Sequence, residues 1–195
     1  MVYLILLVAY LLGSLPFGYI LTRLLHGKDI RDFGSGNIGA TNVLRVYGGR
    51  SALPVFILDL AKGLVAVLLA RAVSDVPTVY LTAGFLAMLG HSFPIYLKFK
   101  GGKAVATSIG VLLALSGWVT LIVIACFLAI VSLTRYVSLG SILSMLILAP
   151  VFWVLGFELP YILFGFAAAI LVIVRHHENI GRLLKGKESK LGRKG

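Results

Sequence analysis

The sequence is short of charge. Only 13% of its 195 residues are Asp, Glu, Lys or Arg, where soluble domains carry about 25%. The four aspartates, Asp29, Asp32, Asp59 and Asp75, are scattered. That excludes the clustered carboxylates of metal-dependent phosphotransfer, and no metal or other cofactor is expected. There is one cysteine, Cys126, inside an apolar run. It cannot close an internal disulfide or contribute to a multi-cysteine metal site, and it reads as a small buried hydrophobe. The N-terminus, Met1-Val-Tyr-Leu-Ile-Leu-Leu, has no basic leader and no small-residue cleavage site, so it reads as a retained membrane helix. No repeat is evident, which argues against an inverted-repeat transporter. No segment between the apolar runs is long enough for a soluble domain, so residues 1–195 read as a single integral membrane domain.

What is present is oil: 59% of the residues are hydrophobic and mean hydropathy is +1.02. The expected fold is all-α, a polytopic membrane protein. Its net charge of +11 is explained by membrane orientation and anionic ligands rather than by nucleic acid. Apolar runs predict helices over about 2–25, with a break at Pro16, and over 51–70, 77–97, 139–157 and 159–174. The run Ala104–Thr134 is 31 residues long, and one straight span needs only about 20. Ser116-Gly117 near its middle predicts two short helices, giving seven spans; one long tilted helix would lead to five. With seven spans and an external N-terminus, sixteen of the eighteen Lys and Arg residues, flanks included, fall on the cytoplasmic side with the C-terminus. Arg71 is left outside and Lys62 within the membrane, so the positive-inside rule sets the orientation.

Three polar stretches interrupt this pattern. The first is Gly34-Ser-Gly-Asn-Ile-Gly-Ala-Thr-Asn-Val-Leu-Arg45, inside a 25-residue polar connection from His26 to Arg50. Glycines admit close approach of backbone amides, and amides, hydroxyls and a guanidinium together are the parts of an anion site; a plain turn is the competing reading. Ile38, Val43, Leu44 and Val46 argue that the connection packs. The second stretch is Lys98-Phe-Lys-Gly-Gly-Lys103 before an apolar helix, where amides, the helix dipole and an ammonium would meet an anion. It lacks the spacing of a P-loop. The third begins Arg175-His-His-Glu-Asn-Ile-Gly-Arg182. There Ile180, Leu183 and Leu184 predict a short surface helix, and the residues from Ser189 read as frayed. The predicted topology puts all three stretches on one membrane face. Arg45, Lys103 and Arg182 then converge with Ser35, Asn42, His176 and Asn179 on a small phosphorylated substrate, with lipid-facing helices for an acyl co-substrate. Asp59 and Lys62 share one helical face; a neutralised structural pair is favoured over a site. A hydrogen-bonded structural role is favoured for His91, and a simple kink for Pro16.

Ser35–Arg45, Gly101-Gly-Lys-Ala-Val-Ala-Thr107 and His176-x-x-Asn-Ile-x-Arg-Leu-x-x-Gly-x-Glu188 resemble the three motifs of the bacterial acyl-phosphate:glycerol-3-phosphate acyltransferases, the PlsY family. The resemblance implies acyl transfer from acyl-phosphate to the sn-1 hydroxyl of glycerol 3-phosphate. The products would be lysophosphatidate and inorganic phosphate, in the first acylation of phospholipid synthesis. The setting would be the bacterial cytoplasmic (inner) membrane, with the site facing the cytoplasm and the chain a monomer. No His-x-x-x-x-Asp is present, in keeping with a donor other than acyl-CoA or acyl-carrier protein. The resemblance implies catalytic roles for Ser35, Arg45, His176 and Asn179. It implies substrate contacts from Gly36, Asn37, Gly39, Thr41, Asn42, Gly101, Gly102, Lys103 and Arg182, and a structural role for Glu188. Ser141, at a helix N-terminus, is added as a phosphate ligand on physical grounds. Another lipid-head-group transferase, or a transporter of a phosphorylated solute, is the alternative.

Overall fold

The computed structural model describes residues 1–192, and every regular element among them is helical. The chain divides into two compact units, Met1–Ala114 and the residues from Leu115 onward.

In the first unit, α1 (Val2–Ser14) and α2 (Phe17–His26) form one apolar run broken at Leu15-Pro16. Proline clashes with a helical residue before it, and Leu15 is accordingly extended, with ψ 115°. The break is more than a kink. With Tyr19, Ile20, Tyr96 and Leu97 it lines an apolar opening of about 240 Å³. The connection after α2 is not one long loop. It contains a 3₁₀ turn (Ile30–Asp32) and a short helix, α3 (Ala40–Tyr47), and α4 (Gly49–Val73) starts immediately afterwards. Most of its apolar residues do pack: Ile30, Ile38 and Val43 are buried with Ala52, Val55 and Leu97, and Val46 lies against them, whereas Leu44 is exposed. Helix α5 (Pro77–Ser92) gives way at Phe93-Pro94 to a 3₁₀ turn (Ile95–Leu97). It packs on α1 at backbone distance, because a side chain on Gly13 would strike the Ala87 backbone and one on Gly90 the Tyr10 carbonyl. Small residues let membrane helices approach in this way. Helix α6 (Val105–Leu115) lies against α4, with the Thr107 carbonyl on Gly63.

The second unit opens with α7 (Gly117–Thr134), which starts where the Ser116-Gly117 signal predicts; the Ser116 hydroxyl accepts the Val119 N–H. Trp118, Leu121 and Leu133 on α7 are exposed, as lipid-facing residues are. The span expected over about 139–157 is present as Val137–Val154, but it is built from two helices, α8 (Val137–Leu146) and α9 (Leu148–Val154). Pro150 has no N–H for the Leu146 carbonyl, and the ladder breaks there. Helix α10 (Leu159–Arg175) bends by 63° into α11 (His177–Leu184), the predicted tail helix. Beyond it the chain is docked rather than frayed. Leu191 N–H donates to the Arg135 carbonyl at 2.8 Å, and Lys190 Nζ sits 5.3 Å from the centre of the Tyr136 ring. Residues 193–195, also expected to fray, lie outside the described residues.

Five segments among the described residues are long and apolar enough to cross a membrane, or six if the bent α10–α11 pair is one span; α6 is shorter.

Candidate active site

The first polar stretch is built around Asn42, buried in α3. Its amide nitrogen donates to the carbonyls of Asn37 (2.9 Å) and Phe33 (3.0 Å), with Ile30 O at 3.4 Å, and its oxygen accepts the Ser35 N–H at 2.8 Å. One side chain thus satisfies four backbone groups of the preceding turn and fixes where Ser35 sits. Gly34 and Gly36 turn the chain at φ 60° and 68°, which L side chains resist. The Asn37 oxygen accepts the Gly39 N–H at 2.8 Å and leads the chain into α3, whose first turn carries Thr41. Upstream, Asp29 accepts from the Arg31 backbone and guanidinium. The Arg31 hydrogen bond holds the Asp29 carboxyl below its ordinary range, and the same bond raises the Arg31 guanidinium. The His26 ring stacks on Tyr47 with centroids 3.9 Å apart, and its Nε2 lies 2.9 Å from Ser51 Oγ, which ties both ends of the segment together. Against this fixed frame Ser35 and Arg45 are exposed. Arg45 makes no hydrogen bond or ion pair among the described residues.

The second stretch is joined to the first through Leu97, which shares the core of Ile38 and Val43. The loop after it is unusual: Lys98, Phe99 and Ala104 all have left-handed φ, at 52°, 63° and 59°. Non-glycine residues in that region are sparse and cluster at functional sites. The two glycines have a reason that sequence reading did not find. A side chain on Gly102 would collide with the His91 imidazole, and one on Gly101 with the His91 carbonyl and Pro94. The Gly102 N–H, expected from sequence to face an anion, donates to the His91 carbonyl at 3.0 Å. His91 in turn is buried, with Nδ1 3.4 Å from Asp59 Oδ1. Lys103 follows, half-buried, immediately before α6.

In the second unit His176 is buried at the α10–α11 bend, and its Nδ1 lies 2.8 Å from the Val172 carbonyl. A carbonyl only accepts, so Nδ1 carries the proton and the lone pair of the neutral ring is on Nε2. Glu188 is a hub. Its Oε1 accepts from Ser138 (2.7 Å) and Asn179 (2.6 Å), and its Oε2 from Arg182 Nε (2.7 Å). Burial raises this carboxyl, but the three hydrogen bonds outweigh burial and leave it below the ordinary glutamate range. Arg182, expected from sequence to bind substrate, is committed on one edge to this carboxylate. Ser141 is buried in the first turns of α8, with its hydroxyl donating to the Val137 carbonyl at 2.9 Å. Sequence reading gives Ser138 no role, because nothing in its spacing signals a partner 50 residues away. Among the described residues no three His, Cys, Asp or Glu side chains gather as metal ligands would.

The model of the family described as glycerol-3-phosphate acyltransferase matches residues 3–186. A glycerol-3-phosphate acyltransferase of Synechococcus elongatus is 47% identical over 96% of this chain and 93% of its own length. One from Thermoanaerobacter pseudethanolicus is 44% identical over 96% and 94%. Two crystal structures of the integral membrane glycerol 3-phosphate acyltransferase PlsY superpose on the chain. The glycerol 3-phosphate form has TM-score 0.94, 39% identity and coverage of 98% of this chain and 96% of that one. The lysophosphatidic acid form has TM-score 0.91, 38% identity and coverage of 98% and 95%.

Proposed function

The chain belongs to the glycerol-3-phosphate acyltransferase family, and from that premise we propose that it moves an acyl group from acyl-phosphate to the sn-1 hydroxyl of glycerol 3-phosphate. It is an integral membrane acyltransferase that acylates glycerol 3-phosphate to lysophosphatidate. The donor, the leaving inorganic phosphate and the place of the reaction as first acylation are our reading. So are seven spans, an external N-terminus, a site on the cytoplasmic face of the bacterial inner membrane, and a monomer. The observation that carries the reading is a match along nearly the whole chain to a protein whose crystal form holds glycerol 3-phosphate.

An acyl-phosphate is a mixed anhydride with a good leaving group. The protein has to hold two anions together, orient a hydroxyl and stabilise an oxyanion. In the first unit, Arg45 clamps phosphate beside Ser35, while Gly36, Asn37, Gly39, Thr41 and Asn42 shape the pocket. Lys103, with the Gly101-Gly102 turn, takes the phosphate of glycerol 3-phosphate. In the second unit, His176 and Asn179 act at the reacting carbon, Ser141 exchanges its helix bond for a phosphate oxygen, and Arg182 adds positive charge. The apolar opening at Pro16 takes acyl methylenes. The sn-1 oxygen attacks the acyl carbon and the bond from that carbon to the phosphate oxygen breaks. The hydroxyl proton goes to a substrate phosphate oxygen rather than to His176. The His176 Nδ1–H is taken by the Val172 carbonyl, a neutral partner that stabilises an imidazolium less than a charged one, which favours this route.

Accordingly, His176→Ala is expected to lower kcat by no more than about 10²-fold, the low end of general-base contributions, and an inflection at about pH 6, where a phosphate monoester takes its second ionisation, is expected in both enzymes. A larger loss, with the inflection present in the parent and absent from His176→Ala, would assign the base to His176.

The overall reading is tested in lipid with palmitoyl-phosphate, glycerol 3-phosphate and a chelator. Phosphate and lysophosphatidate are expected in equal amounts. Product from acyl-CoA but not from palmitoyl-phosphate would overturn the donor, and product only on adding a divalent cation would overturn the metal-free mechanism.

A further inference from the structure

We propose that the buried charge cluster of Asp59, Lys62 and His91 is a positioning device that sets the Gly101-Gly102 turn, and so presents Lys103 to glycerol 3-phosphate. The inference rests on the role given to Lys103 above.

Asp59 and Lys62 face each other across one turn of α4, Nζ to Oδ1 2.8 Å, with both side chains 2% exposed. An ion pair buried inside a membrane span is costly to desolvate, and well-packed apolar residues of like volume serve stability as well or better. Its retention therefore points to what the pair holds in place. Two things are held. Lys62 Nζ donates to the Leu15 carbonyl at 2.9 Å, at the break that Pro16 opens in the first apolar run. Asp59 Oδ1 faces His91 Nδ1 at 3.4 Å, an electrostatic contact without hydrogen-bond geometry that favours this turn of the imidazole. The other side of that ring is the surface on which Gly102 rests, so close that no side chain fits there. The His91 carbonyl takes the Gly102 N–H. A turn with left-handed residues at Lys98, Phe99 and Ala104 does not keep its shape by local preference and needs such a template. The cluster thus connects the helix break, α4 and α5 to the residue immediately before Lys103. It is a positioning device because none of its three side chains needs to touch substrate.

The test compares three variants in lipid: His91→Phe, which keeps a ring against Gly102 but loses the Asp59 contact; the neutral pair Asp59→Asn with Lys62→Met; and Lys103→Met as reference. His91→Phe and the neutral pair are each expected to raise the KM for glycerol 3-phosphate roughly tenfold, with a smaller change in kcat and in the KM for palmitoyl-phosphate, since displacements near 1 Å cost rates of this order or more. Hydrogen exchange at the amides of residues 101–104 should quicken in both without a matching change in the peptides of α7. Lys103→Met should raise the same KM and leave exchange alone.

If His91→Phe and the neutral pair stay within about twofold of the parent KM while Lys103→Met does not, the positioning inference fails and the Lys103 assignment stands. If Lys103→Met leaves that KM unmoved, the assignment itself fails. Equal rises for both substrates with exchange quickened throughout would mean general loosening and would also overturn the inference. Either of the first two variants decides if the other does not fold.

Discussion

Arg45→Ala is expected to lower kcat/KM by about 10²–10³-fold, the range seen when one preorganised donor to a developing oxyanion is removed, while the melting temperature stays within about 2 °C, as for a surface substitution. Both halves of that expectation come from the same geometry. The guanidinium is exposed at the last turn of α3 and bonds to nothing among the described residues, so the fold loses little without it. The frame that carries it is over-determined by Asn42, which binds Ile30, Phe33, Ser35 and Asn37 at once. Asp29 and Arg31 pair with each other and Lys28 lies over the Phe33 ring, whereas Arg45 stands open on a rigid mount, which is why a ligand role is proposed for it. Arg45→Lys is expected to recover only part of the loss, because an ammonium cannot make the planar two-bond contact with phosphate. A large fall in melting temperature for Arg45→Ala would mean that the residue supports the fold. Asn42→Ala is the contrasting case. It should lower both activity and melting temperature, since the Ser35 N–H and three carbonyls lose their partner.

That contrast between Arg45 and Asn42 also marks what was legible in the sequence. Membrane class, the Pro16 break and the Ser116 boundary were readable, because each follows from the chemistry of a residue or its near neighbours. The three polar stretches were readable as interruptions of the apolar pattern for the same reason. Which member of a stretch faces outward was not. Asn42 and Arg45 sit three apart on one short helix, yet one is internal and the other external. The difference lies in whether carbonyls from residues 30–37 come within reach, a long-range matter. The glycines at 101 and 102 mark the same limit. Composition suggested free amides for an anion, whereas their small size answers to His91 on another helix. The favoured neutral pairing of Asp59 with Lys62 holds as a contact, but the link through His91 to the glycine turn depends on α5 packing against α4. The packing of the polar connection from 26 to 50 was readable, but the helix within it was not, because α3 is too short to show a clear period.

Glu188→Ala is expected to destabilise the protein by about 3 kcal/mol, since two buried donors, Ser138 and Asn179, are left without an acceptor at about 1–3 kcal/mol each. Arg182 is 36% exposed and rehydrates at little cost. Glu188→Gln separates the two edges of the hub. Ser138 and Asn179 both bond to Oε1, which the amide retains as its carbonyl oxygen. Only Arg182, on Oε2, meets a donor instead of an acceptor. Glu188→Gln should therefore melt much closer to the parent than Glu188→Ala. The same geometry fixes the sign of a pH effect. Burial raises the Glu188 carboxyl, and the three donors lower it further than burial raises it, so the folded value lies below the unfolded one. Its contribution is then complete above the ordinary glutamate range near pH 4.3 and is lost as pH falls through the lower folded value. Melting temperature measured from neutral pH down into that acid range should fall more steeply for the parent than for Glu188→Gln, and the two curves should approach each other at the acid end. Parallel curves would mean that Glu188 does not titrate with folding. Activity should follow the same order of variants, because Asn179 and the start of α11, where the His176 ring is seated, hang from this carboxylate.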